Sequence, residues 1–92
     1  MSGRKRISKL PRDVRTLPVV RVTWVDSCSN HRWREMAEAR ADVPMECQSV
    51  GFLVANSARA VVLIQSVNES GHAGASWIIP KSCVRRVEKL RG

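Results

Sequence analysis

The chain has 92 residues, 43% of them apolar, enough for one domain built on one core. It carries 16 Lys and Arg against 8 Asp and Glu, a formal net charge of +8. No apolar run approaches the length of a transmembrane helix, and the basic N-terminus lacks the apolar stretch of a secretory signal. Three widely spaced cysteines, Cys28, Cys47 and Cys83, argue against a disulfide framework and for a reducing compartment, so a cytoplasmic protein is expected.

The charge is unevenly placed. Residues 1–18 hold Arg4, Lys5, Arg6, Lys9, Arg12 and Arg15 against Asp13, a net of +5. Residues 80–92 hold Lys81, Arg85, Arg86, Lys89 and Arg91 against Glu88, a net of +4. The segment between, 19–79, nets −1. A near-neutral body with basic ends suits a partner that carries phosphates or presents an acidic surface.

In residues 1–18, Pro11 and Pro18 interrupt any helix and apolar residues are sparse, so a disordered basic tail is expected, with the folded domain in 19–92. Residues 19–25, VVRVTWV, read as a strand with Val20, Val22 and Trp24 on one face. Asp26, Ser27, Ser29 and Asn30 end it through side-chain turns. Residues 32–40, RWREMAEAR, are the one good helix-forming run. Trp33, Met36, Ala37 and Arg40 share a face, and the short helix is expected to lie over an open barrel end, with Ser29 or Asn30 as its cap.

Residues 46–55 and 60–67 read as a hairpin around Asn56-Ser57-Ala58-Arg59. Val50, Phe52 and Val54 alternate in the first arm, and Val61, Leu63 and Val67 oppose Val62 and Ile64 in the second. Gly51 marks a bulge or sharp bend that lets one long strand serve two sheets. NESGHAGA, residues 68–75, is a turn, and SWII, residues 76–79, a fourth strand stopped by Pro80. Lys81-Ser82-Cys83 fits a tight turn and residues 84–87 a last short strand. Five short strands and one short helix predict a mainly β fold, a small partly open barrel.

The run Gly71-His72-Ala73-Gly74-Ala75-Ser76-Trp77-Ile78-Ile79-Pro80-Lys81-Ser82-Cys83-Val84 resembles the end of a Src-homology-3 barrel: a strand entering a proline, one tight helical turn and a short final strand. The Sm-like RNA-binding barrels are similar in layout. The resemblance implies a five-stranded Src-homology-3-like barrel. Peptide-binding members of that family usually place a Tyr in the tight turn. Here Cys83 stands there and the chain has no Tyr, so a proline-peptide groove is not implied. The segment Val22-Thr23-Trp24-Val25-Asp26-Ser27-Cys28 with Trp33, and Ser49-Val50-Gly51-Phe52-Leu53-Val54, resemble small uncharacterised phage and prophage proteins over about residues 20–90. That resemblance implies a product of a bacterial host cytoplasm.

Chemistry is sparse. Cys28 and His31 have a C-x-x-H spacing, with Cys47, His72 and Cys83 as further ligands, but zinc sites usually pair close ligands on both sides, so no metal is expected. Cys28 with His31 or His72 and Asp26 lacks the surroundings of a nucleophile, and Gly71-His72-Ala73-Gly74 reads as a turn rather than a phosphate loop. No enzyme and no cofactor are expected. The sequence points instead to electrostatic, weakly sequence-specific nucleic-acid binding through Arg4, Lys5, Arg6, Lys9, Arg12 and Arg15 of the tail and Lys81, Arg85, Arg86 and Lys89 of the C-terminal edge. Trp24 and Phe52 are expected in the core; Trp33 and Trp77 are the two candidates for an exposed stacking platform, with core packing the favoured reading for each. The alternative is an adaptor or inhibitor that binds a host or phage protein through loops or an open strand edge.

Overall fold

The computed structural model describes residues 8–27 and 32–91. Five antiparallel strands form one open sheet: β1 (Val19–Asp26), β2 (Met45–Asn56), β3 (Ala60–Val67), β4 (Ala73–Pro80) and β5 (Val84–Lys89), in the spatial order β4-β3-β2-β1-β5. Two short helices, α1 (Arg12–Arg15) and α2 (Met36–Arg40), precede β1 and β2, and a 3₁₀ turn, Lys81–Cys83, joins β4 to β5. The β-branched runs expected as strands are strands, and Pro80 ends β4 because it brings no N–H to a ladder.

The order of strands dictates a rolled sheet. β4 and β5 are its two edges, so in a flat sheet they would lie about 19 Å apart at the usual spacing between strands. Yet only Lys81, Ser82 and Cys83 connect them, and a 3₁₀ turn rises about 2 Å per residue. The sheet must therefore curl until the end of β4 approaches the start of β5. The 3₁₀ turn touches both β1 and β3 across the interior of that curl.

β2 makes the curl. Its first part pairs with β1 from Met45 to Phe52, and its last part pairs with β3 from Phe52 to Asn56. Val54 is the extra residue where the β2–β3 register shifts, so the expected bend is present but its bulge lies three residues beyond Gly51. Gly51 itself is buried where the two parts meet, and a Cβ there would stand 2.8 Å from the Ile64 carbonyl oxygen. Glycine is needed for close approach of β2 to β3.

The core is Val20, Val22, Val61, Leu63 and Ile79, each nearly or wholly buried. Trp24, Leu53, Cys83, Val84 and Val87 pack around it half-buried. Burying each large apolar side chain contributes roughly 1.5–3 kcal/mol. The Trp24 indole N–H donates to Ser49 Oγ at 3.0 Å, so its polar tip is satisfied at the core's rim.

Several expectations are corrected. Val50 and Val54 are exposed and Phe52 only half-buried, whereas Gly51 is buried and Leu53 packs on the core. The β1 register decides this: Val20 faces Gly51 and Val22 faces Ser49, and directly opposed residues share a face of the sheet. The helix expected over 32–40 is confined to Met36–Arg40 and buries no residue. Its proposed caps, Ser29 and Asn30, lie outside the described residues. Trp33 is fully exposed and Trp77 is 51% exposed, so neither is a core residue.

The expected disordered tail gives way, over residues 8–18, to ordered contacts. α1 forms one helical turn, closed by Thr16 Oγ1 on the Arg12 carbonyl at 3.1 Å. Pro18 accepts a backbone bond from Leu53 at 2.8 Å, and the Pro11 ring lies 3.8 Å from where a Cβ on Gly71 would stand. This segment is thus laid against the turn between β3 and β4. Among the described residues, no helix is long and apolar enough to cross a membrane.

Candidate nucleic-acid interface

The structure divides the cations that lie close in the sequence. β5 runs antiparallel to β1, so its start lies beside Trp24 and its end beside Val20. Lys81 and Arg85 fall at one end of the sheet, and Lys89 falls at the other, about 17 Å along a strand of six residues. The expected single C-terminal edge is therefore two separate positions with Arg86 between them.

At the first end, Lys89 and Arg91 flank Leu90, whose N–H donates to the Val19 carbonyl at 2.8 Å. Val19 opens β1, four residues after Arg15. Arg12 and Arg15 on α1 and Lys89 on β5 are all exposed, as is Lys9 just before α1, and the Leu90–Val19 bond ties the basic C-terminal segment to the start of β1. Asp13, also on α1, is the carboxylate in that helix. Arg4, Lys5 and Arg6 lie outside the described residues.

At the second end, the tip of the β2–β3 hairpin meets the 3₁₀ turn. The Lys81 N–H donates to the Arg59 carbonyl at 2.9 Å, and Lys81 Nζ donates to Asn56 Oδ1. Arg85 is the extra residue where the β1–β5 register shifts, and its Nη1 donates to the Ser82 carbonyl at 3.0 Å. These bonds hold Arg59, Lys81 and Arg85 around one turn. Among the described residues no carboxylate pairs with any of the three. Arg59 was missed in the sequence because it reads as a turn residue in a neutral segment. A legible sign was available: between Glu46 and Glu88 the one acid is Glu69.

Arg86 is compromised as a phosphate contact. Its Nε and that of Arg21 each lie 3.3 Å from Glu88 Oε1, one carboxylate bridging two strands. Its partners are largely exposed, so the pair adds little stability, but it neutralises part of the charge on this face.

The excursion between β1 and β2 has a different character. Arg34 makes two bonds to the Asp42 carboxylate, at 2.8 and 2.5 Å, stapling residues 34–42 into a loop around α2. Those hydrogen bonds hold the Asp42 carboxyl below its ordinary value, with desolvation pulling the other way, and raise Arg34 correspondingly. An open groove of about 440 Å³ lies beside the staple, lined by Arg32, Trp33, Arg34, Glu35 and Glu38. Two carboxylates offset its two guanidinium groups, so it suits a phosphate poorly.

Cys28 and His31 lie outside the described residues. Among those described, no three of His, Cys, Asp and Glu converge as a metal site would need. Cys47 is half-buried with its thiol 3.7 Å from the Met45 carbonyl, Cys83 packs on the core, and His72 is exposed on the β3–β4 turn. No family model, no curated protein and no solved structure matches this chain.

Proposed function

We propose that this chain is a non-catalytic binding module that holds nucleic acid mainly by charge, at the two basic ends of a small Src-homology-3-like barrel. The observation that supports the reading is the Leu90–Val19 bond, which sets Lys89 and Arg91 beside the start of β1, four residues after Arg15. Cations scattered over a sequence do not make a phosphate site, and cations converging on one surface do. The barrel reading rests on the strand order, the long bent β2 and the 3₁₀ turn between β4 and β5. With the phage resemblance, it describes a small protein working in a bacterial host cytoplasm.

The test is fluorescence anisotropy of the full chain with short single- and double-stranded DNA and RNA across a range of salt. Five phosphate contacts, from Lys9, Arg12, Arg15, Lys89 and Arg91, would weaken binding roughly 100- to 500-fold between about 50 and 200 mM salt. Replacing Arg12, Arg15 and Lys89 together with Gln should flatten the salt slope by about 2 to 3. No binding at low salt, or an unchanged slope in that variant, would overturn the reading.

One set of observations favours a second reading, a protein partner. Trp33, Met36, Val43 and Met45 are all exposed on the excursion around α2, a helix with no buried residue. A five-residue helix has little stability of its own and normally leans on a packed face. An adaptor or inhibitor would engage its protein there, and capture of that protein would survive nuclease treatment.

A further inference from the structure

We infer that β4 and the 3₁₀ turn form a site for single-stranded nucleic acid, with a base stacked on Trp77 and phosphates on Arg59, Lys81 and Arg85; this rests on the nucleic-acid reading above and gives it a substrate class. The two edges of the sheet are unlike. β5 carries Arg85, Arg86 and Lys89 and a bulge, devices that keep another strand from pairing with it. β4 has no charged side chain from Ala73 to Pro80, and every residue but Ile79 is exposed. It is the bare edge, and Trp77 stands on it.

Trp77 has the properties of a stacking platform. It pairs with Leu63, which is fully buried, so Trp77 stands on the core face of the sheet while 51% of the residue faces solvent. A ring held on one side and open on the other presents a π face without the ordering cost of a free side chain. Trp33 contrasts: it is fully exposed and stands beside Glu35 and Glu38, with neither anchor nor net positive charge.

The cations lie where a strand crossing Trp77 would put its backbone. Pro80 is about 10 Å along β4 from Trp77, and Lys81 follows it directly. Arg59 lies opposite through the Lys81–Arg59 backbone bond, and Arg85 is tied to Ser82 within the same turn. An aromatic residue on the edge strand that runs into a turn carrying three cations, none of them ion-paired, fits a chain of alternating bases and phosphates. A duplex hides its base faces and would use the cations alone. An extended acidic peptide would satisfy the charge but gains nothing specific from an aromatic face.

The experiment compares the full chain with Trp77→Phe, Trp77→Leu and the double variant Arg59→Gln, Arg85→Gln. Each is titrated with oligothymidylate and oligouridylate single strands and with a DNA duplex of equal length. We expect the single strands to bind more tightly than the duplex at matched salt. Trp77→Leu should weaken the single strands about 5- to 150-fold and leave the duplex unchanged. Trp77→Phe, which keeps a ring, should retain most of the affinity but lose the tryptophan quenching that accompanies stacking, a readout that stands even if Trp77→Leu folds poorly. The double variant should flatten the single-strand salt slope by about 1.4. Equal affinity for strand and duplex, with quenching unchanged by Trp77→Phe, would overturn this site and leave the general electrostatic reading in place. Failure of every nucleic acid to bind at low salt would overturn both. Competition by an extended acidic peptide that is lost in Trp77→Leu, with nucleic-acid affinity unaffected, would assign β4 to a protein instead.

Discussion

Gly51→Ala is the substitution whose sign separates local propensity from packing. A glycine inside a strand is usually about 0.5–1 kcal/mol less stable than alanine, so propensity alone predicts a gain. The structure predicts a loss. The added methyl would stand 2.8 Å from the Ile64 carbonyl oxygen, 3.2 Å from Leu63 Cβ and 3.3 Å from Gln65 Nε2. The nearest of these is backbone of the paired strand and cannot rotate away, so β2 and β3 must separate where β2 bends. Overpacking of this kind costs roughly 1–3 kcal/mol, which less the propensity gain leaves a net loss of at most about 2.5 kcal/mol, centred near 1 kcal/mol. For a domain of this size a loss of about 1 kcal/mol lowers the melting temperature by about 4–8 °C. Gly74→Ala is the control, since its Cβ would meet Ser66 Cβ at 3.7 Å, an ordinary contact, and should show the propensity gain of at most about 1 kcal/mol. Thermal and urea unfolding followed by circular dichroism read both. A Gly51→Ala protein as stable as the parent, or one that shifts in the same direction as Gly74→Ala, would refute the close approach of the two strands.

Other outcomes follow from the same geometry. Leu63→Ala empties the centre of the core and should cost about 2–5 kcal/mol in urea unfolding, because Leu63 is wholly buried between β2 and β4. Glu88→Gln releases Arg21 and Arg86 from their shared carboxylate; it should change stability by less than about 1 kcal/mol while tightening nucleic-acid binding at low salt and steepening its salt slope by about 1, measured by anisotropy. The Asp42 carboxyl is held below its ordinary value, so the staple to Arg34 contributes fully above the usual carboxylate range and is lost as pH falls through the lowered value. A chemical-shift titration should find Asp42 below that range, and Arg34→Gln should return it there.

The strands were legible because their signals are local. VVRVTWV and AVVLIQSV are β-branched runs, and Pro80 with the three residues after it marks a stop and a tight turn wherever it lies. The faces of β2 were not legible, because both phases of ECQSVGFLVA contain apolar residues. Pairing with Val20 and Val22 chooses Gly51 and Leu53 for the inside, and no periodicity within β2 states that choice. The exposure of Trp77 was not legible for a similar reason. Its alternation is that of a buried strand, but β4 is an edge, and whether anything lies beyond a strand depends on the order of the whole sheet. The grouping of the cations was not legible, because proximity along the chain is not proximity in space. Lys81 precedes β5 and Lys89 ends it, so the two lie at opposite ends of that strand, while Leu90, next to Lys89, bonds Val19, distant in the chain, at the start of β1.

The pairing of β1 with β5 has a consequence for how the protein is made. β1 lies between β2 and β5, so one side of it is satisfied soon after Asn56 leaves the ribosome, whereas the other waits until everything through Lys89 has followed. During that interval a growing chain displays the edge of β1, with Val20, Val22 and Trp24, unpaired on that side. The closing of that edge is the longest loop in the fold and the slowest contact to form. Until it closes, the nascent protein is a three- or four-stranded sheet that ends in an unpaired apolar edge, the state in which such a chain is most open to mispairing.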